Sequence, residues 1–145
     1  MCIRDRDFLG EIFGALNLHN EWHGQFFTPY HIGELMVRTV IDKLPQAAEA
    51  SDTVSVMDPF CGAGCLLIAC ANEANKMDVQ YQRKLLFYAQ DVDRIAALMC
   101  YIQLSFLGCR AIVKIGDSLA DPFTENEEMG ENIWISPMQA CGGLL

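Results

Sequence analysis

Basic charge is scarce in this chain. Its 145 residues include 10 Lys and Arg against 19 Asp and Glu, which gives a formal net charge of −9. A protein that binds nucleic acid by itself presents a basic surface, so this composition argues against such a protein. Any contact with nucleic acid is therefore expected to need a partner or a recognition domain that this chain lacks.

Long apolar runs and paired cysteines are also missing. The longest apolar run, near 96–107, is interrupted by Gln103 and is too short to span a bilayer, and no signal-peptide pattern opens the chain. The seven cysteines are odd in number and form no Cys-x-x-Cys pair, which argues against a secreted disulfide framework. His19 and His23 have no evident third ligand, so no metal site is expected. We predict a cytoplasmic protein without a membrane segment.

The apolar residues that are present alternate between strand and helix patterns. They make up 52% of the chain, which is enough for one domain with a core. Strands are expected at 54–57, 84–90, 111–115 and Ile133–Ile135, and helices at 7–18, from Thr28 to about 44, at 65–75 and at 94–107. The order strand–helix–strand–helix–strand predicts an α/β fold with a parallel sheet and helical crossovers.

Several local features refine this prediction. Thr28 is expected to cap the second helix, with Pro29 in its first turn, and Asp93 is expected to cap the helix at 94–107. That last helix is apolar nearly all round, which predicts that it is buried. Residues 1–6 are charged and do not fit the pattern that follows, so we expect them not to be native to this protein. Residues 139–145 are expected to form an irregular tail.

The sharpest motif is Asp-Pro-Phe-Cys-Gly-Ala-Gly at 58–64, between the first strand and a helix. Gly62 and Gly64 allow a tight turn and a close approach of ligand to backbone. Asp58 would repel a pyrophosphate and attract an ammonium or sulfonium group. The Gly-Lys-Ser/Thr of a phosphate-binding loop does not follow. The motif therefore favours a cationic ligand.

The next two strands also end in acids. Asp91 follows the second strand, where an acid in a nucleotide-binding sheet bonds the ribose hydroxyls, and Asp117 and Ser118 follow the third, where they could meet an adenine amino group. Each acid alone is commonly a cap or a turn residue. Together they mark the edge at which open α/β sheets place their ligands.

Two aromatic residues lie upstream in Gly-Gln-Phe-Phe-Thr-Pro at 24–29. Adjacent aromatics before a helix are commonly a core staple. They could equally form one wall of an adenine pocket. The sequence leaves both interpretations open.

These motifs in this order resemble the amino-group DNA methyltransferases, and in particular the adenine-N6 group with the gamma motif order. That group includes modification subunits of type I restriction systems. The resemblance covers about 22–122 and implies a Rossmann-like, S-adenosylmethionine-dependent methyltransferase fold. It also implies a truncated sheet, an N-terminal helical segment at 1–22 and a cofactor-binding domain at 23–138.

By the same resemblance, S-adenosylmethionine is the cofactor. Its adenine and methionine would be lined by Gln25, Phe26, Phe27, Thr28 and Pro29. Asp58 and Pro59, with Gly62 and Gly64, would hold the methionine end. Asp91 would hold the ribose, and Asp117 with Ser118 the adenine amino group.

The catalytic motif of this family is only half present. Its pattern is Asn/Asp/Ser-Pro-Pro-aromatic after the fourth strand, and here Ser136 and Pro137 are followed by Met138 and Gln139. The resemblance implies methyl transfer to adenine N6 in DNA, with DNA reached through a specificity subunit or an absent recognition domain. The incomplete motif keeps two alternatives open: a SAM-binding subunit without catalysis, and a methyltransferase for RNA, protein or a small molecule.

Overall fold

A four-stranded sheet organises the computed structural model, which describes residues 6–16, 27–124 and 130–142. The elements follow in the order α1 Phe8–Ala15, α2 Tyr30–Arg38, α3 Leu44–Ala50, β1 Val54–Asp58, α4 Cys65–Lys76, α5 Tyr81–Lys84, β2 Leu85–Asp91, α6 Arg94–Phe106, β3 Arg110–Ile115, β4 Ile133–Ile135 and α7 Pro137–Cys141. The predicted α/β fold is confirmed. Within the described ranges, no helix is long and apolar enough to cross a membrane.

The strands lie in the order β1-β2-β3-β4. The first three are parallel, with Asp58 beside Ala89 and Asp91 beside Ile115. β4 differs from them, because it pairs antiparallel with β3. A parallel connection needs a long crossover, usually a helix. The described residues between β3 and β4 form no helix, and the chain turns back along β3 instead.

The core lies between the sheet and helices α4 and α6. Phe87 of β2 is completely buried with Ile68 of α4 and Leu104 of α6. The expectation that the whole of α6 is buried is wrong, because Ile95 and Phe106 are 59% and 69% exposed. Only one side of this helix meets the strands and α4, so its apolar outer side faces away from the core.

The N-terminal helices differ in part from the prediction. The first helix begins at Phe8, one residue after the predicted start, because Asp7 caps it by accepting a hydrogen bond from Gly10 N at 2.9 Å. Thr28 does not cap α2: Pro29 occupies the cap position, and no side chain caps this helix. The helix also ends at Arg38 instead of near 44, and the Thr39 hydroxyl donates to the Met36 carbonyl at 2.6 Å there.

An ion-pair network joins α2 to α4. Glu73 of α4 has only 7% of its side chain exposed, and its Oε1 accepts from Arg38 Nη2 at 3.0 Å and from Lys76 Nζ at 2.6 Å. Glu34 of α2 accepts from the same two cations. The hydrogen bond from Arg38 is the main cause that lowers the pKa of Glu73, and Lys76 adds to it. This network fixes α2, and with it the segment 27–29 that precedes the helix.

We expect Glu73→Gln to lower the free energy of unfolding at neutral pH, because a neutral amide attracts two cations less strongly than a carboxylate. A lowered pKa stabilises the fold above the unfolded-state pKa of about 4.5, and this stabilisation is lost as pH falls through the folded-state pKa. Urea denaturation of both proteins should therefore show a difference in the free energy of unfolding that becomes smaller below about pH 4.5. If the difference in the free energy of unfolding stays constant as pH falls below about 4.5, the ionic role of Glu73 is contradicted.

The serine after β4 is a structural residue. Ser136 is completely buried, and its hydroxyl donates to Cys109 O at 2.8 Å and accepts from Ala111 N at 2.9 Å. These partners lie at the start of β3, so Ser136 ties β4 to the amino end of that strand. α7 begins at the next residue, and the tail expected to be irregular from 139 therefore starts inside a helix.

We expect Ser136→Ala to destabilise the protein by about 1–3 kcal/mol, because it leaves a buried carbonyl and a buried N–H without a partner. Thermal or urea denaturation measures this change. Ser51→Ala, at an exposed serine between α3 and β1, is the matched control and should change stability much less. Equal stability of Ser136→Ala and wild type would contradict this role of the hydroxyl.

Candidate functional site

The carboxyl ends of the three parallel strands form one edge of the sheet. Asp58 and Asp91 are the last residues of β1 and β2, and Asp117 follows β3 by two residues. Two backbone hydrogen bonds draw these ends together: Cys61 N donates to Gln90 O, and Gly116 N donates to Asp91 O, both at 2.9 Å. The structure thus brings the three predicted acids to the edge where open α/β sheets bind ligands.

The glycine turn after β1 depends on left-handed backbone conformations. Gly62 has φ of +52° and Gly64 has φ of +98°, and Gly64 immediately precedes α4. A Cβ atom at Gly64 would lie 2.9 Å from Cys100 Sγ of α6. Another residue at 64 would therefore be strained in backbone and would collide with α6.

Asp91 anchors the glycine turn. Its Oδ2 accepts from Gly62 N at 2.8 Å, and its Oδ1 accepts from Asp93 N at 2.9 Å. Each carboxylate oxygen can accept a further hydrogen bond, so the predicted contact with ribose hydroxyls is compatible with this geometry. Asp93 caps α6 as predicted, accepting from Ile95 N and Ala96 N at 2.7 and 3.0 Å.

Asp58 is the most deeply placed of the three acids, with 9% of its surface exposed. Its Oδ1 accepts a hydrogen bond from Phe60 N at 3.1 Å. Burial is the main cause that raises the pKa of Asp58, and the charge of Asp91 raises it further. Two carboxylates in a desolvated place are stabilised by a cation between or beside them.

Asp117 and Ser118 lie on the rim of this edge. Asp117 is exposed, and its Oδ1 accepts from Leu119 N at 2.9 Å, which closes a turn after β3. The structure brings both residues to the same edge as Asp58 and Asp91. Their proposed contact with an adenine amino group stays a prediction.

Phe27 brings the upstream motif to the glycine turn. A Cβ atom at Gly62 would lie 3.2 Å from Phe27 Cδ1, so the ring packs directly on the turn. Phe27 also packs on Phe13 of α1, with ring centroids 5.2 Å apart. It is therefore both a packing residue and a wall of the site. Gln25 and Phe26 lie outside the described residues.

Two neighbouring cavities share Phe27 and Thr28 in their walls. One, of about 70 Å³, also includes Asp58, Gly62 and several other residues of the glycine turn. The other, of about 240 Å³, includes Pro29 and the α1 side of the same wall. Phe27 and Thr28 of the upstream motif thus line one cavity together with Asp58 and Gly62 of the glycine motif.

The structure does not bring Ser136 or Pro137 to this site. Ser136 is bonded at the amino end of β3, whereas Asp117 follows the carboxyl end of that strand. The cause is the antiparallel direction of β4, which carries the chain away from the ligand edge. The expectation that these residues form the catalytic loop is corrected for the described fold.

Sequence reasoning missed one acid of the site. Asp7 has 2% of its surface exposed and lies in the walls of both cavities. The sequence places Asp7 at the start of the predicted helix at 7–18 and gives no sign of a role in the site. Its contacts with Gln103 come from a distant part of the chain.

Comparisons with known proteins agree with this geometry. A family model described as N-6 DNA methylase matches residues 4–138. None of the curated proteins matches the chain. A crystal structure from Listeria monocytogenes, described as a class I S-adenosylmethionine-dependent methyltransferase, is 22% identical over 68% of this chain, with a TM-score of 0.51. The chain spans 28% of the length of that structure, and at this identity the likeness shows the fold.

We expect Asp91→Ala to lower the melting temperature, because the backbone N–H groups of Gly62 and Asp93 both lose their acceptor. Asp91→Asn, which keeps one acceptor oxygen, should lie between this variant and wild type. Hydrogen exchange at the Gly62 amide reports the local effect. If that amide exchanges at the wild-type rate in Asp91→Ala, the anchoring role is contradicted.

Proposed function

Because the chain belongs to the N-6 DNA methylase family, we propose that it binds S-adenosylmethionine at this edge and serves methyl transfer to adenine N6 in DNA. S-adenosylmethionine is the cofactor that the family and the fold imply. The observation that carries the proposal is the buried Asp58 beside a glycine turn that Asp91 holds in place.

The chemistry of the lining residues fits this cofactor. The methionine end of S-adenosylmethionine carries a sulfonium and an ammonium group, and both need negative partners. Asp58 lines the small cavity, and among the described residues no Lys or Arg lines it. Burial raises the pKa of Asp58, so a cation beside it would stabilise the ionised form.

Each residue of the edge has a definite task in this proposal. The bound cofactor supplies a methyl group made electrophilic by its sulfonium. Asp58 holds the ammonium, Asp91 accepts from the ribose hydroxyls, and Asp117 accepts from the adenine amino group. Phe27 closes one side of the cavity and limits the access of water. Catalysis then consists mostly of holding the target amine in line with the methyl group.

The target amine needs hydrogen-bond acceptors that orient it, and Ser136 is buried too far from the edge to be one. We propose that a partner brings DNA, as a specificity subunit does in a restriction–modification system. The net charge of −9 supports this, because the chain alone offers little attraction to phosphates.

A second function is favoured by the same position of Ser136. A chain that binds the cofactor but lacks groups for the amine would act as a SAM-binding subunit without catalysis. Both functions share the cofactor site and differ only in methyl transfer.

Calorimetric titration with S-adenosylmethionine tests the shared site. We expect saturable binding, and a loss of about tenfold or more in Asp58→Asn, because the variant loses the charge that faces the cation. Asp52→Asn, at an exposed acid before the amino end of β1, is the matched control and should bind like wild type. Absence of binding to folded wild type would contradict the proposal.

Transfer of a labelled methyl group to unmethylated DNA then separates the two functions. Incorporation into adenine N6 supports the methyltransferase. Binding without incorporation, in the presence of cell extract that supplies a partner, supports the non-catalytic subunit.

A further inference from the structure

A buried hydrogen-bond network joins the N-terminal helix to the glycine turn. Gln103 of α6 donates from Nε2 to Asp7 Oδ1 at 2.7 Å and to Ala63 O at 2.9 Å. Its Oε1 accepts from Leu9 N at 3.0 Å. One side chain thus connects α1, α6 and the turn that lies between Gly62 and Gly64.

Asp7 also lines both cavities of the proposed cofactor site. It lines the small cavity together with Asp58, and it lines the neighbouring one beside Pro29. Both hydrogen bonds recorded at its carboxylate, from Gly10 N and Gln103 Nε2, go to Oδ1. Among the described residues none donates a hydrogen bond to Oδ2, so this oxygen keeps its capacity to accept one.

The fold holds this carboxylate in one position. A Cβ atom at Gly10 would collide with Asp7 Oδ2, so the carboxylate lies directly against the first turn of α1. Helix capping alone does not require a charge at this place, because Asn and Ser cap as well as Asp. An ionised group with 2% exposure is costly unless something pairs with it.

We propose that Asp7 is a second carboxylate of the cofactor site, which stabilises the sulfonium of S-adenosylmethionine while Asp58 holds the ammonium. Gln103 fixes it there and links its position to the glycine turn. This inference rests on the proposed function. It extends the site to α1, which neither the glycine motif nor the acids of the sheet edge include.

The energetic cost of Asp7 supports this assignment. Burial is the main cause that raises the pKa of Asp7, and the hydrogen bonds from Gln103 and Gly10 only partly oppose it. The charged form of Asp7 is therefore disfavoured in the free protein. A cation in the cavity would stabilise the ionised carboxylate. A neutral capping residue could not attract such a cation.

Asp7→Asn removes the negative charge of residue 7 and keeps the helix cap. The amide oxygen can still accept from Gly10 N and Gln103 Nε2, so we expect a melting temperature equal to or above that of wild type. Affinity for S-adenosylmethionine should fall about tenfold. Affinity for S-adenosylhomocysteine, which has a neutral thioether in place of the sulfonium, should fall clearly less. Calorimetry with both ligands measures the ratio, and Asp52→Asn is the control.

Each other outcome overturns the inference in a distinguishable way. Unchanged affinity for both ligands would show that the Asp7 charge has no role. An equal loss for both ligands with a lower melting temperature would show that Asp7 is only a cap. Failure of wild type itself to bind S-adenosylmethionine would contradict the proposed function, and this inference with it.

A measurement on wild type keeps the inference testable if Asp7→Asn does not fold. S-adenosylmethionine should slow hydrogen exchange at the Leu9 and Gly10 amides, and S-adenosylhomocysteine should slow it less. Equal protection by the two ligands, or none by either, would contradict a charge-dependent role for Asp7.

Discussion

The site depends on the hydrogen bond from Gly62 N to Asp91 Oδ2, at 2.8 Å. It joins the turn after β1 to the end of β2 and fixes the turn in a conformation that only glycine adopts easily. Gly64 then starts α4 directly beneath Cys100 of α6. Phe27 packs on the outer side of the same turn. This hydrogen bond therefore fixes the glycine turn, which lines the cavity and against which Phe27 packs.

The buried acids Asp58 and Asp7 make this cavity favour a cationic ligand. Asp58 and Asp7 are both buried, and burial raises the pKa of each. A fold that places two acids where solvation is poor loses stability unless a cation occupies the site. The acidic composition of the chain fits the same picture, because attraction to DNA is then left to a partner.

Features that depend on neighbours in sequence could be predicted, and those that depend on distant partners could not. The parallel strands, the glycine turn and the Asp93 cap follow from local patterns of apolar residues, glycines and an acid. The direction of β4 and the burial of Ser136 depend on pairing with β3. Asp7 escaped notice because its partner Gln103 lies 96 residues away.

The most direct test of the cofactor edge is an NMR titration of ¹⁵N-labelled protein with S-adenosylmethionine, followed at the glycine amides. Gly62, Gly64 and Gly116 lie at the carboxyl edge, whereas Gly142 lies beside Arg110 at the amino end of β3. Binding at the carboxyl edge predicts saturable shifts of the first three amides and little change at Gly142. Shifts centred on Gly142, or no saturable shift in folded protein, would contradict a cofactor site at this edge.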